Sequence, residues 1–149
     1  MRIVIQRVRR ATVTVDGREV AGIGPGLLAL VGFSAQDASV SPKAVRLARR
    51  LVTMRIFDDA EGRLNRSLQD VQGELLLVPQ ITLTASLAKG TRPSFHTAAT
   101  PEIARPLFDA LIEELRAIYP RVSIGEFQAR MVVSLENDGP VTFLLSDTD

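Results

Sequence analysis

Side chains able to move a proton near neutral pH are scarce in this chain, which has one histidine, His96, and no cysteine. The absence of cysteine removes thiol nucleophiles, disulfides and Cys-ligated zinc together. One imidazole cannot build a multi-histidine metal site. No Gly-x-Ser-x-Gly elbow, no phosphate loop ending in Gly-Lys-Ser/Thr and no His-Glu-x-x-His occurs. His96 closes the stretch Lys89-Gly90-Thr91-Arg92-Pro93-Ser94-Phe95-His96, which mixes two cations, a rigid proline and an aromatic in the manner of a binding loop. A lone histidine beside an aromatic in a loop is more often hydrogen-bonded surface than a general base. Two further segments, Pro79-Gln80-Ile81-Thr82 and Asn137-Asp138-Gly139-Pro140-Val141-Thr142, interrupt apolar strands with polar or rigid residues. Taken alone, Thr82 suits a strand because it is β-branched, and Asn-Asp-Gly-Pro suits a hairpin turn.

The elements that must position these groups can be read from the pattern. The 149 residues, 46% of them hydrophobic, fit one domain, residues 1–149, with a single core. Thr12-Val13-Thr14-Val15, the turn dipeptide Asp16-Gly17 and Arg18-Glu19-Val20-Ala21 predict a hairpin. Leu27 to Phe33 and Glu74 to Val78 are apolar runs that predict strands buried on both faces, the first of them central. Ser41-Pro42 predicts a helix start, with Ala44, Leu47, Ala48, Leu51 and Met54 at helical spacing behind it. A second helix follows Thr100-Pro101-Glu102, with a stripe of Ile103, Leu107, Leu111, Leu115 and Ile118 and its end at Pro120; Pro106 is expected to bend or delay its first turn. Met131 to Leu135 and Val141 to Leu145 read as strands either side of a break at Glu136 to Pro140. This order predicts an α+β fold with a curved, barrel-like, mostly antiparallel sheet and two main helices.

A formal charge of +1 excludes a strong overall positive field. Residues 1–75 nevertheless carry 12 basic and 8 acidic side chains, against 6 and 9 in residues 76–149. Arg46, Arg49 and Arg50 on the first helix offer either a phosphate-contacting face or a solvated outer face. The longest charge-free run, Val20 to Gln36, is broken by Gly22, Gly24, Pro25 and Gly26 and is too short to span a bilayer. The opening residues carry charge too early for a signal peptide. These features predict a soluble, cytoplasmic protein without a membrane partner.

Six fragments in order carry a family likeness: Ile5-Gln6-Arg7-Val8, Gly26-Leu27-Leu28, Arg55-Ile56-Phe57, Arg92-Pro93-Ser94-Phe95, Phe127 to Met131 and Asn137 to Thr142. Through them the chain resembles the D-aminoacyl-tRNA deacylases over nearly its whole length. The resemblance implies hydrolysis of the ester between a D-amino acid, or glycine mischarged on tRNA(Ala), and the 3′ end of tRNA, with no metal or cofactor. It implies a homodimer with sites at the subunit interface, where the cis Gly139-Pro140 element of each subunit enters the partner's pocket beside Gln80 to Thr82. Arg7 is then expected to hold that element, because its planar fork donates hydrogen bonds in fixed directions. Val141, Phe127, Met131 and Phe95 complete the implied substrate-binding set, and Gln80, Ile81 and Thr82 the implied catalytic set. Backbone N–H groups at Ile81 and Thr82 would stabilise the oxyanion. Thr82 would orient water or attack, although no base stands beside it to activate its hydroxyl; the family mechanism recruits the ribose 2′-hydroxyl. Two residues depart from the family pattern: Pro79 stands where serine is usual and Gln128 where glycine is usual. Pro79-Gln80 also occurs in a branch that edits L-alanyl-tRNA, which is one alternative; a catalytically silent tRNA-binding module is another.

Overall fold

In the computed structural model, residues 1–37, 41–88 and 90–146 are described, without the side chains of 41–43. The elements in chain order are β1 (Arg2–Val15), β2 (Arg18–Ile23), β3 (Gly26–Gly32), α1 (Ser41–Thr53), β4 (Phe57–Asp58), β5 (Leu64–Arg66), α2 (Leu68–Val71), β6 (Glu74–Pro79), a 3₁₀ turn (Ile81–Thr84), α3 (Pro101–Ile118), β7 (Val122–Ile124) and β8 (Met131–Ser146). The expected hairpin joins β1 to β2, and its two turn residues, Asp16 at φ 49° and Gly17 at φ 77°, have the paired positive φ of a type I′ turn.

β3 is central, antiparallel to β1 on one side and parallel to β6 on the other, and β7 continues the sheet parallel to β6. β8 runs antiparallel along the opposite edge of β1. The sheet is therefore mixed, with most pairings antiparallel. It curls until the Ser123 hydroxyl on β7 donates to the Gly22 carbonyl on β2 at 3.4 Å, nearly closing a barrel. The apolar runs are continuous because both faces are buried. Leu28, Leu76 and Val78 point into the barrel with Val8, Ala11, Val13 and Val15. Leu27, Ala29, Leu75 and Leu77 point outward, beneath α1 and α3, with Ile3 and Ile5. β1 serves both layers because its pairing with β8 slips between Val8 and Arg10. Arg9 and Arg10 are consecutively exposed there, and the inward set changes from even Val8 to odd Ala11, Val13 and Val15.

α1 begins at Ser41 as expected; the capping role read for Ser41 and Pro42 rests on side chains outside the described residues. α3 departs from expectation at three points. It starts at Pro101 and runs through Pro106 without delay. Its buried stripe is Leu107, Phe108, Leu111, Ile112 and Leu115. Ile103 and Ile118, expected in the stripe, are exposed, because the helix buries a face shifted toward Phe108 and Ile112. A third helix, the short α2, starts with a capping box in which the Ser67 backbone N–H and hydroxyl hold the Asp70 carboxyl below its ordinary range. Tyr119, just past α3, is buried and donates its hydroxyl to the Gly73 carbonyl. Burial raises its pKa above the ordinary phenol value. Among the described residues no helix is long and apolar enough to cross a membrane.

The expected break at Glu136 to Pro140 is a second correction. β8 does not turn there. It keeps pairing with β1 on both sides, Val8 with Asn137 and Gln6 with Thr142, so Asp138 to Val141 bulge out opposite Arg7. Antiparallel pairing on both flanks overrides the local turn chemistry of Asn-Asp-Gly-Pro.

Candidate active site

The C-terminal ends of β3 and β6 open onto a cavity of about 370 Å³. Its wall draws Pro79, Gln80 and Ile81 from the end of β6, Pro101 and Ala104 from the start of α3, and Phe127, Gln128 and Met131 from the connection into β8. Crevices beyond the carboxyl ends of parallel strands are where such sheets offer a site. The Gln80 backbone N–H donates to the Val31 carbonyl at 2.7 Å, which ties the mouth of the cavity to β3. Gly32 lets the 3₁₀ turn lie against β3, since a Cβ there would stand 2.7 Å from the Gln80 carbonyl oxygen and 2.9 Å from Leu83 Cβ. The Gln80 side-chain amide donates to the Thr82 hydroxyl. Ile81 and Thr82 are exposed at the start of the 3₁₀ turn, where backbone N–H groups precede the first intrahelical bond. Phe127 packs against Phe108 with ring centroids 6.0 Å apart, and the Arg105 guanidinium lies 5.2 Å from its ring centroid.

Arg7 is 8% exposed and turns its fork toward the bulge of its own chain. Nε donates to the Asp138 carbonyl at 3.0 Å, and Nη1 donates to the Ile56 carbonyl at 3.1 Å. The same nitrogens meet the Asp138 and Asp58 carboxylates at 3.2 and 3.3 Å. Gln6 Nε2 donates to Asn137 Oδ1 at 3.0 Å on the other side of the bulge. Gly139 and Pro140 are left exposed, and the peptide between them is cis. Neither of them lines the cavity of this chain.

The structure thus gathers Gln80, Ile81, Phe127 and Met131 around one cavity and places Thr82 beside Gln80 at its mouth. It sets Arg7, Gly139 and Pro140 together elsewhere. Val141 turns its side chain into the core. Phe95 is exposed in the 88–97 loop and does not line the cavity; His96 hydrogen-bonds Ser94 Oγ through Nδ1 at 2.8 Å, and Lys89 lies outside the described residues. Sequence reasoning missed Arg105 over Phe127 and the pairing of Arg7 with Asp58. Neither carries a local signal, since each joins residues far apart in the chain. Among the described residues no group of three His, Asp or Glu side chains converges as a metal site.

Residues 4–146 match the model of the family described as D-Tyr-tRNA(Tyr) deacylase. The chain belongs to that family. Proteins named D-aminoacyl-tRNA deacylase are similar to it over nearly the whole chain. The one from Ectopseudomonas mendocina is 53% identical over 97% of this chain and 99% of its own length. The one from Nitrosococcus oceani is 50% identical over 95% and 90%. The fold is shared with the solved c-Myc DNA unwinding element binding protein, 38% identical with a TM-score of 0.91 over 98% of both chains. A probable eukaryotic D-amino acid tRNA deacylase, 20% identical with a TM-score of 0.81 over 97% of both chains, has the same fold. The resemblance carried by the six sequence fragments is confirmed at full length, and the deacylase family supplies the context in which the cavity and the bulge are read.

Proposed function

We propose that the chain hydrolyses the ester of D-aminoacyl-tRNA, and of glycyl-tRNA, releasing the amino acid and tRNA. The observation that carries this reading is the division of the site: the cavity with Gln80 to Thr82 at its mouth stands apart from the Arg7-anchored Gly139-Pro140 bulge. In the proposed dimer the bulge of one subunit faces the cavity mouth of the other. Support comes from the outer edge of β8, where Val132 and Leu144 are each 63% exposed and Leu135 and Phe143 also reach solvent; an uncovered apolar edge of this length is what a second copy would bury. An L-aminoacyl side chain would run into the main chain of the bulge, which has no side chain that could move aside, whereas a D-residue or glycine avoids it.

In the proposed step, water adds to the ester carbonyl, the oxyanion is met by the Ile81 and Thr82 backbone N–H groups, and the ribose oxygen leaves with a proton. The ribose 2′-hydroxyl supplies the activation that the chain's own side chains do not. No base stands beside Thr82 to activate its hydroxyl, so Thr82, held by the Gln80 amide, positions the attacking water rather than attacking.

Pro79 favours a second reading, because it lines the cavity where a serine would add a hydroxyl and a backbone donor. That reading is editing of L-alanyl-tRNA. Incubating the purified protein with matched D-tyrosyl-, L-tyrosyl-, glycyl- and L-alanyl-tRNA separates the cases. Loss of the D-tyrosyl and glycyl esters with L-tyrosyl spared supports the main proposal. Preferential L-alanyl cleavage supports the second. Salt-dependent tRNA binding without cleavage would leave a silent binding module.

A further inference from the structure

Gln128 stands at the third position of the turn Glu126–Ala129, which is closed by the Ala129 N–H to the Glu126 carbonyl at 3.3 Å. Its φ is 65°, the left-handed conformation that a type II turn places at this position and that glycine adopts at least cost. Residues held this way against their own preference cluster at functional sites. Gln128 lines the cavity, where among the described residues it and Gln80 supply the only polar side chains. The Gln80 amide is engaged by Thr82. The Gln128 carboxamide makes no hydrogen bond to the described residues.

Under the proposed function, the acyl group occupies the mouth at Gln80 to Thr82, beside the partner's bulge. The side of the cavity formed by the half-buried Phe127 and Met131, with the exposed Gln128 at its rim, is then left to the nucleoside that bears the ester, and tRNA ends in adenosine. An apolar slot with an aromatic wall and one free carboxamide is matched to a purine, whose face packs on the wall and whose edge pairs with the amide. We infer that Gln128 is a specificity-determining residue that hydrogen-bonds the edge of the terminal adenine through its 6-amino group, the donor common to both edges a carboxamide can pair with. The inference rests on the proposed function for the placement of the substrate, and on the φ and free amide of Gln128 for its role.

The test is calorimetric binding of two non-hydrolysable probes, 3′-(D-tyrosylamino)-3′-deoxyadenosine and its purine-riboside counterpart lacking the 6-amino group, to the full chain. The wild type is expected to prefer the adenosine probe by about tenfold, the value of one good base-edge contact. Gln128→Met keeps the bulk and removes the amide. Gln128→Gly suits the turn and guards against a folding defect in the first variant. Both are expected to bind the two probes within about twofold of each other, the range left when no edge contact discriminates. With D-tyrosyl-tRNA, the fall in kcat/KM should be carried by KM. A preference retained in both variants, a wild type without preference, or an equal loss of affinity for both probes would overturn the inference. A preferring wild type that hydrolyses no D-aminoacyl-tRNA would overturn the proposed function while leaving the role of Gln128 standing.

Discussion

Replacing Arg7 by alanine removes two hydrogen bonds from a charged donor to main-chain carbonyls, one buried at Ile56 and one partly buried at Asp138. Bonds of this kind contribute roughly 1.5–3 kcal/mol each, giving about 3–6 kcal/mol before relaxation. The carboxylate partners add little, since Asp58 is 50% and Asp138 38% exposed and such pairs are worth ~0–1 kcal/mol. Water entering the shortened site will satisfy the Asp138 carbonyl in part. The expected loss is therefore about 3 kcal/mol, which for a chain of this length lowers Tm by roughly 6–12 °C. Equilibrium urea unfolding at one fixed protein concentration measures it, repeated at low and high salt. The difference between wild type and variant should change by less than ~0.5 kcal/mol with salt, because carbonyls rather than exposed carboxylates carry it. Arg7→Lys should restore less than half, since an ammonium cannot reach both carbonyls in fixed directions. A loss below ~1 kcal/mol, or one that disappears in salt, would refute this account of the anchor. If the bulge performs the proposed chiral exclusion, Arg7→Ala also raises activity toward L-tyrosyl- relative to D-tyrosyl-tRNA; unchanged selectivity would reject the anchoring role.

Thr82→Ala should lower kcat by less than about tenfold if backbone donors and the substrate hydroxyl dominate, whereas complete loss in single-turnover assays would identify Thr82 as a nucleophile. Gln128→Gly should gain about 0.5–1 kcal/mol, the left-handed cost of a side chain less the added freedom of unfolded glycine, and a lower melting temperature would count against strain at that turn. Tyr119 is the one tyrosine in a chain without tryptophan, so phenolate absorbance reports it alone. Its native titration should fall above the ordinary value of 10.0 and return to it in denaturant. Because the folded pKa is the higher, the associated stabilisation is complete below the unfolded value and is lost as pH rises through the folded one. Tyr119→Phe should abolish that alkaline dependence, and a variant that keeps it would assign the dependence to other groups.

Much of the scaffold was legible because its signals are local. The Leu27 to Phe33 run is apolar throughout because one face enters the barrel and the other meets the helices, and Asp16-Gly17 specifies its turn through φ alone. Periodicity placed α3 and its ends but misjudged its buried stripe, since which face a helix buries depends on what lies beneath it, and Phe108 and Ile112 rather than Ile103 and Ile118 meet the core. The Asn137 to Pro140 segment reads as a break because turn chemistry is local, whereas the pairing with Gln6 and Val8 that straightens it spans the chain. The candidate site was legible as fragments only. The Arg7 partners lie 49 and 131 positions away, and no spacing rule joins an arginine to two carbonyls at such distances.

The slip in β1 between Val8 and Arg10 also limits how the chain can change in length. Ile3 and Ile5 belong to one core and Ala11, Val13 and Val15 to the other, so the number of residues between the two sets fixes which way each set faces. Losing one of Arg9 and Arg10 would leave Val8 and Ala11 at the two-residue spacing that keeps both on the inward face of a regular strand, whereas losing both would rotate the rest of the strand and turn three apolar side chains out of the barrel. A single-residue deletion at Arg9 or Arg10 is therefore expected to be far less damaging than deletion of the pair, although both side chains lie in solvent.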